Sequence, residues 1–194
     1  MRYDVAIAGG GPAGATCAAF CAKAGLKTLL IERVVFPREK VCGDCLNPRC
    51  WPIFDRLGVA DRILASPHAK LNEVRFVGLN GHSISVPFER GGAGEIAIRR
   101  RELDDLLLQR AIECGVEVRQ GVAISAVEQG WRISFGHERI EAKALVAADG
   151  RNSTVARLLG LLPAASKDRI GSQTHIAAPA DFGARIELRF FPDG

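Results

Sequence analysis

Residues 5–25, VAIAGGGPAGATCAAFCAKAG, decide how the rest of the chain is read. An apolar run from Val5 to Ala8 leads into Gly9, Gly10 and Gly11, and Pro12 then opens an alanine-rich stretch. Tyr3–Ala8 predicts a short buried strand, Pro12–Ala24 a helix and Leu26–Ile31 a second strand. A strand, a helix and a strand within about 30 residues make a βαβ unit, and its crossover requires a parallel sheet. Glycine costs about 0.5–1 kcal/mol of backbone entropy relative to alanine. Three in a row at a strand–helix junction therefore ask for a compensating role.

Gly9, Gly11 and Gly14 fit G-x-G-x-x-G, and Glu32 follows 18 residues beyond Gly14, at the end of the second predicted strand. The pattern alone is weak, but between a strand and a helix, with an acidic residue at that distance, it is the dinucleotide-binding fingerprint. Gly9 permits a tight turn, Gly11 lets a pyrophosphate approach the backbone, and Gly14 lets helix and strand pack closely. The helix N-terminus offers unpaired N–H groups and partial positive charge to phosphates. Glu32 can accept hydrogen bonds from both ribose hydroxyls, and its charge would repel the 2′-phosphate of NADP. Pro12, Ala13 and Arg33 complete this candidate cofactor corner.

Further along, Val34–Asn47 is a long polar loop and Pro48–Leu57 is helical, with Pro48 suited to a first turn. Asn72–Val77 and Ser83–Phe88 alternate around Asn80-Gly81, a hairpin signal. Gly91-Gly92-Ala93-Gly94 reads as a flexible joint. Glu102–Cys114 is an amphipathic helix stopped by Gly115. Val116–Val118 and Val122–Val127 read as strands, Trp131–Phe135 and Arg139–Ala142 as a hairpin turning at Gly136, and Ala144–Ala148 as a short apolar strand. Ser153–Leu159 is a short helix ended by Gly160, and Thr174–Ala178 and Arg185–Phe191 are strands. The expected architecture is α/β: a Rossmann-like domain over 1–70 and 98–162, interleaved with a mainly antiparallel β domain over 71–97 and 163–194.

Four segments carry a resemblance: "VAIAGGGPAGATCA", "IERVVFPREKVCGDCLNP", "RRRELDDLLLQRA" and "ALVAADGRNSTVARLLG". Together they resemble FAD-dependent oxidoreductases of the geranylgeranyl reductase type, within the aromatic-hydroxylase-like flavoproteins, over essentially the whole chain. The resemblance implies that Gly9, Gly11, Gly14 and Glu32 hold the ADP half of FAD. It implies that Arg100 lies near the ribityl–pyrophosphate portion, and that Asp149 and Gly150 form the "DG" motif beside the pyrophosphate. Cys42, Gly43 and Asp44 match a loop that approaches the isoalloxazine ring, which makes Cys42 the candidate for a catalytic position. From the residues themselves, Arg99, Arg100 and Arg101 suit either a phosphate contact or a solvated face. Asp149-Gly150 equally suits a plain turn, and Ser153 a helix cap.

Members of that family continue well beyond 194 residues, with a second "GD" motif and a further helix. The resemblance therefore implies an incomplete chain that binds FAD weakly and is inactive alone. The implied activity is reduction of C=C bonds in an isoprenoid or similar lipid by hydride from reduced flavin, with NAD(P)H or another reductant as electron donor. Two alternatives stand beside it: an aromatic or polyketide monooxygenase or halogenase on the same scaffold, and a non-catalytic nucleotide-binding module.

Cys42 and Cys45 form one C-x-x-C with Cys50 nearby, and His68, His82, His137 and His175 are scattered. A zinc site would want a second pair, so no metal is expected; a redox disulfide and a flavin-pocket thiol both remain open. Cys17 and Cys21, one helical turn apart, read as small core residues. Six cysteines without a secretory signal fit reduced thiols in the cytoplasm. A net charge of +4, well dispersed, gives no nucleic-acid surface. A lipid substrate would imply peripheral membrane contact, although no amphipathic anchor stands out. Oligomeric state is not legible.

Overall fold

The computed structural model describes residues 1–88, 94–162 and 171–192. In chain order the elements are β1 (Arg2–Ala8), α1 (Pro12–Lys23), β2 (Thr28–Glu32), β3 (Cys45–Leu46), a 3₁₀ turn at Pro48–Cys50, α2 (Trp51–Leu57), α3 (Ala60–Ala65) and β4 (His68–Leu71). The hairpin β5 (Glu73–Val77) and β6 (Ser83–Pro87) follows, then β7 (Glu95–Ile98), α4 (Arg100–Glu113), β8 (Glu117–Gln120), β9 (Ile124–Glu128) and β10 (Arg132–Phe135). The remaining elements are β11 (Glu138–Ala147), α5 (Thr154–Leu158) and β12 (Arg185–Arg189).

Six strands form the main sheet in the order β8-β2-β1-β11-β10-β9. β8, β2, β1 and β11 run parallel, whereas β10 is antiparallel to β11 and to β9. The near-continuous apolar reading of β1 and β2 reflects burial on both faces. Val5, Ile7 and Leu30 face one core with Ala15, Ala18 and Ala19 of α1 and Leu103, Leu107, Leu108 and Ala111 of α4. Ala6, Ala8, Leu29 and Ile31 face a second core with Ile124, Ile133, Phe135, Ile140 and Val155. Alternate residues of one strand thus serve opposite layers, as the two-residue pleat demands. The alanines of α1 let it lie close against α4, which it contacts more than any other helix.

Two three-stranded sheets flank this body, β3-β7-β4 and β12-β5-β6. β12 runs parallel to β5, and β6 is its antiparallel hairpin partner. The Asn80-Gly81 turn forms as the sequence suggests: Gly81 has φ +80°, and Asn80 Oδ1 accepts from the His82 N–H at 3.1 Å.

Several expectations are corrected. Thr174–Ala178 is not a strand: it joins no ladder among the described residues, and Ile176 is 81% exposed. The two strands expected at Arg139–Ala142 and Ala144–Ala148 are one ten-residue strand, β11, which pairs with β1 on one side and β10 on the other. Helix α3 and the sheet β3-β7-β4 were not read from the sequence at all. Of the proposed Gly91–Gly94 joint, residues 91–93 lie outside the described residues; Gly94 has φ +66°. All six cysteines are free. Among the described residues no helix is long and apolar enough to cross a membrane, and no cluster of three or more His, Cys, Asp or Glu could hold a metal.

Candidate cofactor-binding site

At the C-terminal edge of the parallel strands the chain leaves β1 through Gly9, Gly10 and Gly11. Gly9 has φ +100°, and a Cβ there would sit 2.4 Å from the Ala148 carbonyl oxygen, so only glycine fits the turn beside the end of β11. A Cβ on Gly14 would fall 1.9 Å from the Gly9 carbonyl oxygen, which lets the first turn of α1 press onto the glycine turn. Gly11 differs: its hypothetical Cβ would meet only guanidinium tips at ordinary contact distance, 3.7 Å from Arg38 Nη2 and 3.9 Å from Arg100 Nη2. No side chain caps α1, so its first-turn N–H groups carry no side-chain partner at the cavity.

Glu32 ends β2 and is buried against this corner. Its Oε2 accepts from the Gly10 N–H at 2.6 Å and its Oε1 from the Val34 N–H at 3.0 Å. The carboxylate therefore first ties the glycine turn to the end of the second strand. Each oxygen retains acceptor capacity for a sugar hydroxyl.

The positive wall is built around one buried carboxylate. Asp104, 0% exposed on α4, takes a bidentate pair from Arg100, Nε to Oδ1 at 2.7 Å and Nη2 to Oδ2 at 2.8 Å. This hydrogen-bonded partner raises the Arg100 pKa above the ordinary arginine value, outweighing desolvation, so the guanidinium is charged at any working pH. Arg38 approaches the same carboxylate, with Nη1 3.1 Å from Oδ2, and stacks on the Phe36 ring at 4.7 Å. The Arg38 contact lacks hydrogen-bond geometry, and Nη1 is a buried donor without a hydrogen-bond partner among the described residues. Two guanidinium groups on one carboxylate leave about one net positive charge facing Gly11.

These groups line one cavity of about 570 Å³. The structure brings together Gly9, Gly11, Pro12, Ala13, Glu32, Arg33, Arg100, Asp149 and Gly150 in its wall. Gly14 lies behind the wall as a packing residue. Cys42 and Gly43 are not part of the wall, although the next residue, Asp44, accepts from the Arg100 N–H at 3.4 Å through its Oδ1. Asp149 faces the cavity while accepting from Ser153 Oγ at 2.5 Å and the Thr154 N–H at 2.6 Å, and Ser153 caps α5 through the Ala156 N–H. Arg38 is the residue sequence reasoning missed. Its only local signal is a basic pair, Arg38 and Lys40, in the loop after β2, and that loop shows no periodicity to say which way it faces.

A glycine-lined turn, an uncapped helix start, an excess guanidinium charge and an acceptor at the strand end fit a diphosphate with an adjacent ribose. Residues 2–181 match the FAD binding domain family, and the chain belongs to it. It is 33% identical over 163 residues to a geranylgeranyl diphosphate reductase of Rhodobacter capsulatus, covering 80% of this chain and 39% of that protein. It is also 33% identical over 196 residues to a 12-dehydrotetracycline 5-monooxygenase/anhydrotetracycline 6-monooxygenase of Streptomyces rimosus, covering 97% of this chain and 38% of that protein. Among solved structures, a flavin-dependent brominase superposes with a TM-score of 0.72 at 30% identity, over 83% of this chain and 41% of that one. The chain thus spans about two-fifths of the length of these relatives. FAD is the cofactor of this family, and the residues present suit it.

Proposed function

We propose that this chain is the cofactor-binding portion of an FAD-dependent oxidoreductase that reduces C=C bonds of an isoprenoid or similar small lipid. The observation that carries the cofactor assignment is the Gly11 corner, where Nη2 of Arg38 and Nη2 of Arg100 converge within 4 Å of the place a Gly11 side chain would take, on the wall of the cavity. In this reading Gly9, Gly11, Pro12 and Ala13 cradle the diphosphate, Arg38 and Arg100 neutralise it, and Glu32 and Arg33 flank the ribose. Asp149 and Gly150 close the far side. Bound and reduced, FAD would supply a hydride for one carbon of the double bond, the other carbon taking a proton from water or a nearby acid. The protein residues orient it: Glu32 holds the glycine turn, and Asp104 keeps both guanidinium groups aimed.

The body built on the six-stranded sheet serves as the dinucleotide unit, over 1–70 and 98–162. The sheet β12-β5-β6 belongs to a substrate unit over 71–97 and 163–194. Reductase chemistry is favoured by the similarity to the geranylgeranyl diphosphate reductase together with the Cys42-Gly43-Asp44 loop beside Arg100. A second reading, a monooxygenase, is favoured by the tetracycline-pathway relative, which aligns with 97% of the chain.

One experiment separates them. Enzyme carrying FAD is supplied with NAD(P)H and a polyprenyl substrate, and oxygen uptake is followed alongside the mass of the product. A product heavier by two hydrogens per double bond, without oxygen uptake, supports the reductase; stoichiometric oxygen uptake and a product heavier by one oxygen atom support the monooxygenase.

A further inference from the structure

Among the described residues, the connector that follows α5 and enters β12 is held beside the cofactor cavity by Gln173 and His175, which meet Asp44 and the Cys42 amide. Asp44 Oδ2 accepts from Gln173 Nε2 at 2.9 Å and pairs with His175 Nε2 at 2.8 Å. Gln173 answers by accepting the Cys42 N–H on its Oε1 at 2.9 Å. Asp44 also reaches the cofactor wall: its Oδ1 lies 3.4 Å from the N–H of Arg100, and its carbonyl accepts from the Ile98 N–H at 2.8 Å. Asp44 is non-glycine yet has φ +56°, a conformation L-residues adopt rarely and aspartate more readily than most. Such a backbone persists where the surroundings over-determine it. Here the Asp44 carbonyl, carboxylate and neighbouring Cys42 amide all meet partners on other segments.

Among the described residues, 171–178 form no helix or ladder, and these side-chain bonds are the contacts that fix Gln173 and His175. The connector then delivers β12 to its parallel place beside β5, where the Asn72 N–H donates to the Ala184 carbonyl at 2.8 Å. β5, β6 and β12 pack chiefly on one another. The second sheet is thus joined to the rest by the chain before β5 and after β6, and its remaining strand, β12, is reached through the connector that Asp44 holds.

We propose that Asp44 is a positioning residue that latches the connector, and with it the second sheet, onto the rim of the cofactor cavity beside Arg100. The latch acts between segments of this chain and needs no bound cofactor. Its test uses the full chain without ligand and reads thermolysin cleavage within residues 171–182. Asp44→Gly suits the positive φ and so keeps the turn, but it removes the acceptor for both Gln173 and His175. Losing hydrogen bonds to a charged group speeds cleavage of the connector by about tenfold, while the urea midpoint of the parallel sheet stays where it was. Asp44→Asn, which keeps one acceptor oxygen and tolerates the same backbone, falls between the two. Connector cleavage that is unchanged in Asp44→Gly, or that rises only in step with global unfolding, overturns the proposal. A second route avoids the turn: the pair Gln173→Ala and His175→Ala, on exposed side chains, strips hydrogen-exchange protection from the Cys42 amide if the latch exists. Unaltered protection there is the contrary result.

Discussion

Gly11 and Gly14 belong to one fingerprint, yet their surroundings give them separate work. Gly14→Ala forces a methyl against the Gly9 carbonyl, 1.9 Å away, and lowers stability by about 3 kcal/mol, readable as a fall in the urea midpoint. Gly11→Ala meets nothing closer than 3.7 Å and leaves that midpoint alone. Its methyl occupies the approach to the backbone, and ADP affinity measured by calorimetry drops about tenfold, some 1.4 kcal/mol. Arg38→Met keeps the stem over Phe36 but removes the charge; ADP binding weakens by about 10–100-fold, and its dependence on salt becomes shallower. Tyr3 supplies a pH signature. Its hydroxyl donates to Glu117 Oε2 at 2.8 Å, and burial, reinforced by that bond and the nearby carboxylate charge, pushes its pKa up from 10.0 to about 12. A folded-state pKa above the unfolded one means full stabilisation below pH 10, eroding as pH rises towards about 12. Denaturation curves collected across that window show this decline in the wild type and not in Tyr3→Phe.

Helix α4 does two things at once, packing Leu103, Leu107, Leu108 and Ala111 into the core while carrying Asp104 to the cofactor wall. Asp104→Ala leaves two guanidinium groups facing each other without their carboxylate, which costs about 3–5 kcal/mol; thermal unfolding reads the loss. Ser153→Ala, which removes the cap of α5, costs about 1 kcal/mol by the same measurement. The long periodic elements were legible because their own residues state their environment: Gly115 at φ +93° ends the turn after α4, and Pro12 starts α1. Short elements were not. β3 has two residues, too few for any alternation to register, and exists because Cys45 and Leu46 find Ala97 and Ile96 across the ladder. Thr174–Ala178 shows the converse: β-branched Thr174 and Ile176 suit a strand, yet among the described residues the segment joins no ladder.

On the scale of the whole chain, burial separates the sheets. β1 and β2 are covered on both faces, whereas β6 is exposed along its length, with Ile84 70% exposed. Hydrogen exchange therefore proceeds in two steps, with β5, β6 and β12 opening well before β1, β2 and β11; simultaneous exchange of these two sheets would contradict this. What the sequence determined by itself was the glycine corner, the spacing to Glu32 and the two-sided burial of the first strands. Those features depend on neighbours along the chain and on periodicities of two and 3.6 residues. Only the tertiary structure decided that Arg38 shares Asp104 with Arg100, that β11 is one strand serving two kinds of ladder, and that Asp44 meets His175. Those partners are separated by 66 residues in one case and 131 in another. Their meeting is set by how helices and crossovers pack, and no local pattern encodes that.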